Sequence, residues 1–140
     1  MKQIKQIFSL LFLTILLSSS AIVCAQTEPE YLQNWTQLKE ADFHFDVAYA
    51  VVKCSSTSKA KVLLNAFNEG GSYIKVGFKL ALKDANGNKA IVEIALFTIK
   101  SGEMFIASCN KDDYANLRFD VPEGIDAATM KIEITYTTGS

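Results

Sequence analysis

The 140 residues include one histidine, one tryptophan, two prolines and three cysteines, and no block of charge of either sign. With a single imidazole and no Cys-x-x-Cys spacing, the sequence lacks a ligand set for the common zinc sites. It contains neither a Gly-x-Ser-x-Gly elbow nor a glycine-rich phosphate loop, so the usual serine-hydrolase and nucleotide-binding signatures have no candidate. Helical periodicity is almost absent, and no internal repeat is found. No apolar run reaches the roughly 20 residues that span a bilayer as a helix. The formal charge is −1, and nothing in its distribution favours nucleic acid or an anionic membrane as a partner.

The longest apolar run, Ile7 to Leu17, follows Lys2 and Lys5 and precedes small residues and Val23-Cys24-Ala25. A basic start, an apolar stretch of about a dozen residues and small residues at minus three and minus one read as a secretory signal peptide over residues 1–25. Cys24 offers the alternative of a lipoprotein signal, although Ala21-Ile22-Val23 lacks the small residue normally placed before a lipidated cysteine. Cleavage after Ala25 leaves no integral membrane span and about 115 residues, the size of one ordinary domain. It also leaves 12 basic against 15 acidic side chains. The destination is the periplasm, the cell surface or the medium.

Two cysteines remain, Cys54 and Cys109. In an oxidising compartment such a pair is most simply a disulfide, and two buried free thiols are the alternative.

The rest of the chain alternates. Ile74 to Leu82 places large apolar side chains at every second position, with Lys75, Lys79 and Lys83 outside that set, and Ile91 to Leu96 returns after Asp84-Ala85-Asn86-Gly87-Asn88. Asn-Gly between two such runs is a strong hairpin signal, because both residues tolerate positive φ. A three-residue loop Ala85-Asn86-Gly87 pairs Leu80 with Val92, Phe78 with Ile94 and Val76 with Leu96, uniting two apolar faces. Further strands are expected over Phe43–Val52, Lys59–Asn68, Glu103–Cys109, Tyr114–Val121 and Met130–Tyr136, with residues 137–140 fraying. Residues 26–42 read as an N-terminal leader and cover segment: Gln26 to Glu30 a loose leader, then Tyr31 to Lys39, where Leu32, Trp35 and Leu38 spaced by three suit one or two helical turns, or an irregular or extended cover, with Trp35 as a plug on one end of the core.

About seven strands in residues 43–140 predict an all-β domain, a single antiparallel two-sheet β-sandwich of immunoglobulin or fibronectin-III type. A small jelly roll or barrel is the alternative. The order of Trp35, an alternating strand, Cys54, Leu63-Leu64-Asn65, Val76-Gly77-Phe78 and Ser108-Cys109 resembles small secreted bacterial proteins of uncharacterised function with an immunoglobulin-like sandwich. The resemblance implies a fold and a disulfide, and no activity. No tryptophan lies between Cys54 and Cys109, which sets the chain apart from antibody-type domains with their cross-sheet pin.

Candidate chemistry is sparse. His44 and Asp46 fall on one outward strand face, where an acid could orient the ring. Asp112-Asp113 in a loop and Asp42, Asp46, Glu93, Asp120 and Glu133 on or beside strands are the carboxylates from which a hydrolytic pair would be drawn. Asp84-x-Asn86-Gly87-Asn88 resembles the start of a calcium loop but lacks its glycine at the sixth position and its glutamate at the twelfth. No cofactor is called for. The residue set that period two leaves unexplained is apolar: Leu63, Phe67, Tyr73, Phe97 and Ile99 fall on outer faces, as an association surface would. The expected function is an exported, non-catalytic immunoglobulin-like module that binds a protein or glycan partner, or itself. A small exported hydrolase using carboxylates or His44 is the alternative.

Overall fold

The structure is a computed structural model that describes residues 28–110 and 113–140. The leader and Cys24 lie outside the described residues, as does Asp112.

Eight strands form two antiparallel sheets packed as a sandwich. The first five are β1 (Glu30–Gln37), β2 (Phe45–Lys53), β3 (Ala60–Asn68), β4 (Ile74–Lys83) and β5 (Lys89–Ile99). They are followed by β6 (Met104–Ile106), a 3-10 turn at Ala115–Leu117, β7 (Arg118–Asp120) and β8 (Lys131–Thr138). One sheet is the meander β1-β2-β3, with β6 and β7 placed end to end along the far edge of β3. The other has the order β5-β4-β8. The chain therefore changes layer after β3, after β5 and after β7.

The core lies where the alternating faces meet. Phe45, Val47, Tyr49 and Val51 of β2 and Val62, Leu64 and Ala66 of β3 face Val76, Phe78, Leu80 and Leu82 of β4, all buried. Phe45 is the centre of an aromatic group, with ring centroids 5.8 to 6.5 Å from Tyr136, Phe43, Phe97 and Phe78. Tyr136 also donates from its hydroxyl to the Lys39 carbonyl at 2.7 Å. Burial, with the nearby carboxylates of Asp46 and Glu40 adding to it, pushes that phenol well above the ordinary tyrosine range.

The hairpin turn is as expected. Gly87 adopts φ of 87° and donates to the Asp84 carbonyl, while Asp84 N–H donates to Asn88 O, which closes the three-residue loop Ala85-Asn86-Gly87. Leu80 pairs with Val92 and Phe78 with Ile94. The next pairing departs from expectation: Val76 meets Phe97, not Leu96. Ala95 and Leu96 together oppose Gly77, a β-bulge that exists because the backbones approach closely there. A Cβ on Gly77 would stand 2.8 Å from the Ile94 carbonyl oxygen.

Other boundaries differ as well: of the strand expected over Glu103–Cys109 β6 keeps Met104–Ile106, and of the one expected over Tyr114–Val121 Ala115–Leu117 form the 3-10 turn and β7 keeps Arg118–Asp120. Residues 30–37 take the extended alternative and not the helical one, forming an edge strand on β2 with two register shifts, and Trp35 is exposed on it while Leu38 is buried. Asp42 to His44 form a turn, so that β2 begins at Phe45. Thr137 and Thr138 continue β8, and Gly139 N–H donates to Lys75 O at 2.8 Å.

Cys54 and Cys109 are bonded, with Cα atoms 5.5 Å apart across 55 residues of chain. They join the end of β2 to the segment after β6, two elements of the same layer. Among the described residues, no helix is long and apolar enough to cross a membrane.

Candidate functional site

The five outer-face residues expected from the sequence do not assemble. Ile99 has no exposed surface and Leu63 only 3%. Both corrections have a physical cause. The bulge at Ala95-Leu96 turns everything beyond it by one residue, so Ile99 enters the core and Phe97 lays its ring 6.2 Å from Phe78 and 6.0 Å from Phe105. Leu96 takes the outer position at 46% exposure. Leu63 does face outward, but it is paired with Arg118 of β7, whose guanidinium donates to the carbonyls of Ser108 and Asn110. Cys109 in the same loop is bonded to Cys54, which ties that loop to the end of β2. Phe67 is half-buried on the outer face of the larger sheet between Asp46 and Met104, and Tyr73 is 73% exposed ahead of β4.

The candidate chemistry is dispersed as well. His44 sits in the turn with φ of 58°, exposed, 3.5 Å from Glu40. Asp113 accepts from Ser108 Oγ at 2.9 Å. Asp120 is ion-paired with Lys61, which holds its carboxyl below the usual range, and Glu93 is paired with Lys79 at 2.8 Å. Among the described residues, no three His, Cys, Asp or Glu side chains come together as a metal site.

What does assemble lies on the outer face of β5-β4-β8. Val76, Phe78, Leu80 and Leu82 turn inward, so Lys75, Lys79, Ala81 and Lys83 turn outward. By the same alternation Lys89, Ile91 and Glu93 of β5 and Lys131, Glu133 and Thr135 of β8 share that face. The pairing register then sets them in rows. Lys83 lies opposite Lys89 on one side and Lys131 on the other, and in the next row Ala81 lies between Ile91 and Glu133. Three lysines thus stand abreast on adjacent strands, about 10 Å from first to last at the usual strand spacing. Like charges directly opposite one another work against a sheet. Among the described residues none of the three forms an ion pair.

Beside this row is a cleft of about 740 Å³, floored by Ala81 and by Ile91, which is 71% exposed, and bounded by Lys83, Lys89, Lys131 and Glu133. Its end wall is stitched in place by Asp84. One oxygen of that buried carboxylate accepts Asn88 N–H at 2.9 Å, and the other accepts Asn88 Nδ2 at 2.9 Å and Asp126 N–H at 3.0 Å. These donors, Asp126 first, hold the Asp84 carboxyl below its ordinary range. The hairpin turn is so fixed to the connection that leads into β8, and Ala85 N–H adds a bond to Thr129 Oγ1 at 3.3 Å. The acidic positions that resembled a calcium loop are accordingly occupied with turn geometry.

The chain matches no known family model and no curated protein.

A second, smaller cleft of about 490 Å³ lies at the open side of the sandwich, beside Gln33, Tyr49 and Met130. Gln33 crosses it, donating to Ala127 O at 2.8 Å and Met130 O at 3.0 Å and accepting from Tyr49 Oη at 3.3 Å. Its polar atoms hold β1 to the connection that leads into β8, which makes Gln33 a clamp of the fold.

Proposed function

We propose that the protein is an exported, non-catalytic binding module that engages a protein or glycan partner through the outer face of β5-β4-β8. The observation that carries this reading is the cleft of about 740 Å³ on that face, an apolar floor bounded by charged side chains. A concave surface with a few polar groups around an apolar floor is the usual form of a recognition site. The location of the disulfide supports export, since such bonds persist in oxidising compartments. The face is also rigid: β4 is hydrogen-bonded on both sides, and Asp84 locks its end to the β8 side.

Ala81→Trp tests the proposal, because Ala81 is exposed at the centre of the floor and a bulky side chain there fills the cleft without entering the core. Wild type and variant are compared on a printed glycan array, against candidate envelope proteins, and by light scattering across concentration. Signals abolished by Ala81→Trp are expected. Binding or self-association that survives it unchanged would place recognition elsewhere.

A further inference from the structure

We infer that the ligand of this face is an acidic glycan, a chain of sugars bearing carboxylate or sulfate groups; the inference rests on the reading of the cleft as the recognition site. Three observations converge on it. The first is the lysine row. Lys89, Lys83 and Lys131 are set directly opposite one another by the register of three strands, without an ion-paired carboxylate among the described residues. Their mutual repulsion weakens the sheet when nothing lies between them, and an anion laid across the row removes that repulsion. A row about 10 Å wide also matches more than one acid group.

The second observation concerns the backbone. β4 spends its N–H and C=O groups on β5 and β8, so a ligand laid over the middle of the face meets side chains, the open main-chain edges of this sheet being the far sides of β5 and β8. An extended peptide that draws its affinity from main-chain bonds would dock along those edges and not across the lysine row. The third is what lies beside the lysines: Ala81 and Ile91 as an apolar floor, and Glu133 on the far side as an acceptor. A pyranose has an apolar ring face for the floor, hydroxyl donors for Glu133 and, in an acidic sugar, anionic oxygens for the ammonium groups. Lysine serves here as a point charge that selects for charge more than for geometry, so carboxylate and sulfate sugars are both within its class.

The test is isothermal titration of the purified protein with hexagalacturonate, with a heparin hexasaccharide and with neutral maltohexaose, at low and high salt. The acidic chains are expected to bind, more weakly at high salt, and the neutral chain not to bind. The triple variant Lys83→Gln/Lys89→Gln/Lys131→Gln should lose about tenfold or more in affinity. Its thermal midpoint should hold or rise, which separates lost binding from lost folding, and Lys59→Gln, in the turn before β3, should bind as wild type. Equal binding of neutral and acidic chains, abolished by Ala81→Trp, would overturn the acidic ligand and keep the recognition face. Absence of binding to both acidic chains, or undiminished binding by the triple variant, would overturn the inference. Acidic-chain binding that survives Ala81→Trp would overturn the face itself.

Discussion

Ile99→Ala and Leu96→Ala decide between the bulged ladder and a straight one. Ile99 has no exposed surface, and deleting such a side chain costs its transfer free energy plus the cavity left behind, about 2–5 kcal/mol. Leu96 is 46% exposed. About half of the roughly 1.5–3 kcal/mol of full leucine burial is then at stake, or about 1 kcal/mol, with no closed cavity. At a guanidinium slope of about 4 kcal/mol per molar, Ile99→Ala lowers the unfolding midpoint by about 0.9 M and Leu96→Ala by about 0.25 M. A straight ladder pairing Val76 with Leu96 would place Leu96 inside and Ile99 outside, and the order of the two losses would invert. The assay is equilibrium unfolding without reductant, followed by far-UV dichroism and by the fluorescence of the single Trp35. A Leu96→Ala loss equal to or larger than that of Ile99→Ala would refute the bulge. Gly77→Ala is the companion experiment. Its new methyl group meets the Ile94 carbonyl oxygen at 2.8 Å, so the β5 backbone must move at a cost of about 1–3 kcal/mol.

Other expectations follow from the same contacts. The folded-state pKa of Asp84 lies below the ordinary value, so its stabilisation is fully present above about pH 4 and is lost as pH falls through the folded value. The gap in thermal midpoint between wild type and Asp84→Asn should therefore narrow from pH 7 to about pH 2.5, and a gap that widens on acidification would contradict the bonding. Replacing Cys54 and Cys109 by serine releases a constraint across 55 residues and should cost about 4 kcal/mol in chain entropy, less any strain; an unchanged denaturation midpoint would speak against the bond. Gln33→Ala leaves the Ala127 and Met130 carbonyls without their partner and should cost about 1–3 kcal/mol, whereas a loss below about 0.5 kcal/mol would remove its role as a clamp.

Much of the fold was legible because its strongest signals are local. Asn86-Gly87 specifies the turn through the φ of Gly87, and the turn specifies the register as far as Phe78–Ile94. The bulge was not legible, because two residues opposing one is a property of the pair of strands; its single trace in the sequence was a glycine, Gly77, within a strand pattern. For β1 the helical alternative arose for a related reason. Its pairing with β2 shifts at Tyr31/Gln33 and again between Gln33 and Thr36, and these irregularities erase the period-two pattern, leaving Leu32, Trp35 and Leu38 at a spacing that imitates a helix.

The candidate site divides in the same way. That Lys83 turns outward follows from alternation within β4, but its meeting with Lys131 depends on β4 pairing with β8, elements about 50 residues apart in the chain. No local signal reports that neighbourhood. Leu63 likewise faces outward as expected, yet it is buried, and its neighbour Arg118 on β7 is a pairing that no local signal reports.

The central claim, that recognition occurs on the outer face of β5-β4-β8, is tested most directly by mapping backbone amide shifts of the isotope-labelled protein during titration with hexagalacturonate. Perturbations gathered at Ala81, Lys83, Lys89, Ile91 and Lys131 are the expected result. Perturbations gathered on the larger sheet, or in the end loops at Ser55–Ser58 and Asn68–Ser72, would contradict it.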